Sequence, residues 1–113
     1  MAKIGYFLSS EQFGPAQLID QAKRAEAAGF EALWISDHFH PWNDEQGQSP
    51  FVWGVIGALS QVTSLPVSTA VTCPTIRIHP AIIAQAAATG RPARRTVRVG
   101  RRQRGSAQRA RTR

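Results

Sequence analysis

Asp37, His38, His40 and Trp42 follow directly on the apolar run Leu33-Trp34-Ile35. A histidine beside an acid suits proton transfer: the imidazole takes a proton from an alcohol while a cofactor accepts hydride. Trp42 can wall such a pocket and exclude water. The plainer alternative is that one histidine caps the loop and the other is solvated. Asp37, His38, His40 and His79 also offer nitrogen and oxygen ligands to a metal, but His38-x-His40 comes with no further ligand cluster. Cys73 reads either as a small buried residue or as a pocket-lining group. His79-Pro80 reads as a loop residue ahead of a helix start. Trp34 and Trp53 sit in strand and helix patterns and are expected in the core.

The elements around these residues alternate. Lys3-Ile4-Gly5-Tyr6-Phe7-Leu8 reads as a first strand closed by Ser9-Ser10. Gly14-Pro15 opens a helix, with Leu18, Ile19, Ala22, Ala25 and Ala28 on one 3.6-residue face. Gly29 stops it, because glycine enters the left-handed region at little cost, and Phe30 packs back on it. Ala32 to Ser36 is the second strand. The connection from Asp37 to Pro50 exceeds the usual 2–6 residues or so of a βα loop, which marks it as functional. Ser49-Pro50 caps a second helix with Val52, Val55, Ile56, Leu59 and Val62 on one face, ended by Thr63-Ser64. Leu65 to Thr72 reads as a third strand, Val67-Ser68-Thr69-Ala70-Val71-Thr72, broken by Cys73-Pro74, and Pro80 opens a third helix over Ala81 to Ala88.

This β-α-β-α-β-α order predicts an α/β fold with a parallel sheet and right-handed crossovers. Working residues then gather at the C-terminal ends of the strands. A dinucleotide-binding sheet needs a glycine-rich turn after the first strand, and Ser9-Ser10-Glu11-Gln12-Phe13-Gly14 has a single glycine. A (β/α) barrel needs about 250 residues, and the chain has 113.

Charge divides the chain in two. Residues 1–89 hold four basic and seven acidic side chains, net −3, whereas residues 90–113 hold ten arginines and no acid, net +10. The expected organisation is a globular portion over 1–89 and a basic, disordered tail over 90–113 that lacks the apolar side chains to order itself. Such a tail binds nucleic acid phosphates without sequence preference at most. The single cysteine rules out an internal disulfide or a cysteine-cluster zinc site. No apolar run approaches the roughly 18 residues of a membrane span, and no signal-peptide core is present. A cytoplasmic protein is the expectation.

Ile4-Gly5-Tyr6, Ala28-Gly29-Phe30, Trp34-Ile35-Ser36-Asp37-His38 and Ala70-Val71-Thr72-Cys73-Pro74-Thr75 together resemble the luciferase-like superfamily. The Ser36-to-Trp42 and Thr72-to-Ala81 segments resemble its branch that uses the deazaflavin coenzyme F420. The resemblance covers residues 1 to about 89, and it implies the first three βα units of a (β/α)8 barrel, dimeric in the intact protein. It implies hydride transfer between F420 and a small organic substrate. Asp37 would contact the deazaflavin, His38 would be the acid/base, and Trp42 would shield the reacting centre. Ala70-Val71 would form a bulge, often with a non-prolyl cis peptide, behind the deazaflavin ring, and Cys73 would be a further cofactor contact. A flavin (FMN) monooxygenase is the alternative within the superfamily; the Asp37-His38-x-x-x-Trp42 set favours the deazaflavin branch.

Family members continue into a fourth strand and a loop like Gly-x-Gly-Ser-Gly-Glu-Ala-Leu-Asn-Glu, whose first glutamate is a second catalytic group. Residues 103–110, Gln-Arg-Gly-Ser-Ala-Gln-Arg-Ala, back-translate as CAG CGG GGA AGC GCT CAA CGA GCA. Preceded by GG and read in the shifted frame, the same bases give Gly-Ser-Gly-Glu-Ala-Leu-Asn-Glu. The expectation is a frameshift near Thr89 and an inactive fragment.

Overall fold

The computed structural model describes residues 1–75, 77–90 and 97–101. Four strands, β1 (Gly5–Leu8), β2 (Ala32–Ile35), β3 (Val67–Thr72) and β4 (Val97–Arg101), alternate with helices α1 (Pro15–Ala27), α2 (Val52–Val62) and α3 (Pro80–Thr89). The sheet order is β1-β2-β3-β4, and every pair is parallel. This is the alternating α/β architecture that the hydrophobic pattern implies, one strand longer than expected.

The three helices share one face of the sheet. Leu8, Leu33, Ile35 and Val67 from the strands form a single buried cluster with Leu18, Ala22 and Ala25 of α1, Val52, Val55, Ile56 and Leu59 of α2, and Ile83 of α3. Small alanines on α1 allow that helix close to the strands. Ala28 and Val62, expected on the apolar faces, are exposed, because each stands at the last turn of its helix where the sheet no longer lies beneath it.

The helix ends show how local chemistry sets the boundaries. Pro15 occupies the first turn of α1, and Gln17 Oε1 accepts from the Gly14 N–H at 3.1 Å. Past the other end, Gly29 takes φ +90°, which a side chain would strain, and Phe30 N–H donates back to the Ala25 carbonyl at 3.1 Å. Phe30 meets Tyr6 edge to face with ring centroids 5.4 Å apart. The expected Ser49-Pro50 cap of α2 is not formed. The helix begins at Val52 with Phe51 at the cap position, because the Ser49 hydroxyl donates to the His38 carbonyl at 2.6 Å instead. His79 caps α3, its Nδ1 accepting from the Ala81 N–H at 3.1 Å.

Two expectations need correction. Trp34 is not a core residue: it is 56% exposed, whereas Trp53 is buried. Side chains alternate along a strand; Leu33 and Ile35 face the helices, so Trp34 must face the side that no described helix covers. The segment beginning at Gly90 is not wholly without order either, since Val97–Arg101 pairs with β3 from Val67↔Val97 to Thr72↔Arg101. The edge groups of β3 offer an extended segment hydrogen-bond partners, and alternating valines suit a strand. Among the described residues, the outer edge on this side of the sheet therefore lies at β4 and not at β3. Gly100 passes so close to the Thr69 carbonyl that a Cβ there has no room. Residues 91–96 and 102–113, the rest of the expected tail, lie outside the described residues.

Candidate active site

In a parallel sheet the C-terminal ends of all strands share one rim, and here three strands each deliver polar groups to it. β1 ends in Ser9-Ser10-Glu11, β2 in Ser36-Asp37-His38, and β3 in Thr72-Cys73.

Glu11 joins the first two. It is 3% exposed. Its Oε1 lies 2.9 Å from His38 Nε2, and its Oε2 accepts from the Ser36 hydroxyl at 2.5 Å. Ser36 is held in turn: its oxygen accepts from the Ser10 N–H at 2.9 Å, and the Ser10 hydroxyl donates to the Ser36 carbonyl at 2.6 Å. An ionised carboxylate only accepts hydrogen bonds, so Glu11 keeps the ring proton of a neutral His38 on Nε2 and leaves the lone pair on Nδ1. No described residue hydrogen-bonds that Nδ1. His38 is thus a base with a buried anchor behind it and a side chain one-third open to solvent.

Asp37 is held separately. Its side chain is 1% exposed; Oδ1 pairs with the Arg77 guanidinium, and Oδ2 accepts from the Thr72 hydroxyl at 2.7 Å. Thr72 Oγ1 lies 2.9 Å from Thr69 Oγ1, which also accepts from the Gly100 N–H at 3.2 Å. Arg77 reaches Asp37 because the loop after β3 folds back, the Thr75 N–H donating to the Ile78 carbonyl at 3.2 Å. A charge-assisted pair thus binds the β2 and β3 loops together.

The long loop after β2 is pinned rather than free. Gln48 N–H donates to the Glu11 carbonyl at 3.0 Å, and Trp42 N–H to Gln46 Oε1 at 2.9 Å. Trp42 stands with its ring 5.2 Å from that of His38, inclined at 59°, and is itself exposed. Ala70 and Val71 are half-buried, joined by a cis peptide at an irregularity in the β3–β4 register between Thr69 and Thr72. Cys73 is exposed, so the buried alternative for that residue is overturned.

The structure thus brings Asp37, His38, Trp42, Ala70, Val71 and Cys73 to one rim. It separates His40, which turns outward with Nδ1 2.9 Å from the Pro41 carbonyl, and His79, committed to its helix cap. Among the described residues no three His, Cys, Asp or Glu side chains converge as metal ligands. Sequence reasoning missed Glu11 and Arg77. Glu11 follows the first strand as Asp37 follows the second, and that parallel was the available signal; nothing in the sequence singles out Arg77.

The sequence model of the luciferase-like monooxygenase family matches residues 1–89. An F420-dependent glucose-6-phosphate dehydrogenase of Amycolatopsis mediterranei is 46% identical over 90 residues, which is 79% of this chain and 27% of that one. An F420-dependent hydroxymycolic acid dehydrogenase of Mycobacterium tuberculosis is 45% identical over 87 residues, 76% of this chain and 24% of that one. Among solved structures, an F420-dependent secondary alcohol dehydrogenase holding an F420–acetone adduct superposes with a TM-score of 0.77 at 46% identity, covering 84% of this chain and 30% of the other. The chain therefore spans little more than a quarter of the relatives' length. With residues 1–89 matched throughout, it belongs to the luciferase-like monooxygenase family.

Proposed function

We propose that the intact barrel to which this chain corresponds transfers hydride between F420 and a small organic substrate bearing a hydroxyl or carbonyl. The observation that carries this is the His38–Glu11 pair at the strand rim. His38 Nδ1, freed by the bond from Nε2 to Glu11, takes the hydroxyl proton as the alcohol is oxidised and returns it in the reverse direction. F420, when bound, accepts or supplies the hydride at carbon. Support for that cofactor comes from the half-buried Ala70-Val71 stretch and the exposed Cys73 at the rim; the buried Asp37 carboxylate, held by Arg77 and Thr72, joins the β2 and β3 loops beside them. Trp42 covers the histidine ring and limits water beside the reacting carbon. Relatives named as F420-dependent support the deazaflavin over FMN.

We further propose that residues 1–89 are the functional part, that residues 90–113 are read out of frame, and that the 113-residue chain has no turnover by itself. The intact protein is proposed to be a cytoplasmic homodimer. None of the described helices is long and apolar enough to cross a membrane. Sequencing the gene checks the frame: a single-base change near codon 89 must restore the barrel motif. The restored protein is expected to reduce F420 with an alcohol, and His38→Ala is expected to slow it about 10²–10⁴-fold. Turnover unchanged in His38→Ala, or turnover by the 113-residue chain, would overturn the reading.

A further inference from the structure

Among the described residues, the helices cover only one face of the sheet. On the other, Phe7, Trp34 and Ser68 stand side by side in register, with Phe7 48% and Trp34 56% exposed. They line a hollow of about 630 Å³ together with Lys3, Gly5 and Pro66. This hollow lies toward the N-terminal ends of the strands, away from the His38 rim. Contiguous exposed aromatics in a concave setting mark an interaction surface.

The edges say what fits it. β1 has no strand beyond it, and neither does β4 among the described residues. Unpaired edge groups are templates for another strand. Because all four strands are parallel, the outer edge of β4 in one copy can pair in parallel with the outer edge of β1 in another. A two-fold axis along the strand direction makes that junction twice and leaves no edge open. Four strands from each copy give eight, the number at which a parallel barrel closes with an interior that side chains fill. The helix-free faces then turn inward, so the two sets of Phe7 and Trp34 occupy the interior while every helix stays outside.

We propose that two copies of this chain associate through the helix-free face about a two-fold axis and close an eight-stranded parallel barrel by β4-to-β1 pairing. This surface is independent of the cofactor reading, and its test uses no cofactor. Light scattering on the eluting peak of the 113-residue chain is expected to give twice its 12.4 kDa mass. Trp34→Glu and Ser68→Glu, each placed on the uncovered face, are expected to give monomers that keep the helical circular dichroism. Amide exchange is expected to be slow in β1 of the dimer and to quicken in β1 of the glutamate variants while β2 stays protected. A monomeric or polydisperse wild-type chain overturns the proposal, as does a dimer that survives both substitutions. A dimer whose β1 amides exchange freely also overturns it, since faces would then touch without the edges closing. Should both variants unfold, β1 exchange in the wild-type dimer decides.

Discussion

Glu11 accounts for much of the rim's organisation. Buried, it accepts from both Ser36 and His38 and ties the end of β1 to the end of β2. Removing its carboxylate leaves the Ser36 hydroxyl the longer bond to the Leu8 carbonyl at 3.4 Å and frees the imidazole. Glu11→Ala is expected to lower stability by about 1.5–3 kcal/mol, the range for charge-assisted hydrogen bonds, as read by urea unfolding. It is also expected to replace the Nε2–H tautomer of His38 by a mixture, as read from imidazole ¹⁵N shifts; a tautomer that does not change shows that Glu11 does not hold the proton. Asp37 has a parallel dependence. Arg77→Met leaves its carboxylate buried with Thr72 alone. Breaking a fully buried pair costs roughly 3–5 kcal/mol. Arg77 is 27% exposed, so solvent relieves part of that and about 1–3 kcal/mol is expected. Asp37→Asn added to Arg77→Met should recover most of the loss, because it removes the unpaired charge. His38 and Asp37 were legible in the sequence because polar groups ending an apolar run are conspicuous. Arg77 was not, because its role depends on a loop reversal that no local pattern announces.

At the scale of elements, the alternation of strands and helices was legible because each helix repeats its apolar residues at 3.6 and each strand is bounded by turn residues. The start of α2 was not. A serine before a helix has two uses for its hydroxyl, and Ser49 gives it to the His38 carbonyl, a partner distant in sequence. Ser49→Ala is therefore expected to cost about 1 kcal/mol and to raise exchange in the loop after β2 while leaving α2 the same length by chemical shift. A shortened α2 would show that Ser49 acts as its cap after all. Trp34 was misplaced for a related reason: a short apolar run tells how buried a strand is on average, and only its neighbours tell which face is covered. β4 depends on close backbone approach at Gly100. Gly100→Ala is expected to lift β4 from β3, seen as loss of amide protection in β4 and along the newly bare side of β3, with β2 unaffected.

For the whole molecule, the separation of charge has its own consequence. Ten arginines without an acid make residues 90–113 a polycation joined to a mildly acidic body. Retention on heparin is expected to fall steeply with salt and to vanish when residues 102–113 are removed along with residues 90–101. Retention that persists in the chain 1–89 would assign the binding to the folded part. The split was visible in sequence because composition alone carries it, whereas the strand within it was not, since an arginine-rich composition hides the alternation of Val97 and Val99. One residue offers a practical use. Cys73 is the sole thiol and sits exposed on the same rim as His38 and Asp37. A maleimide dye therefore attaches at a single known address, without engineering, where its emission reports whatever arrives at or leaves the mouth of the strands.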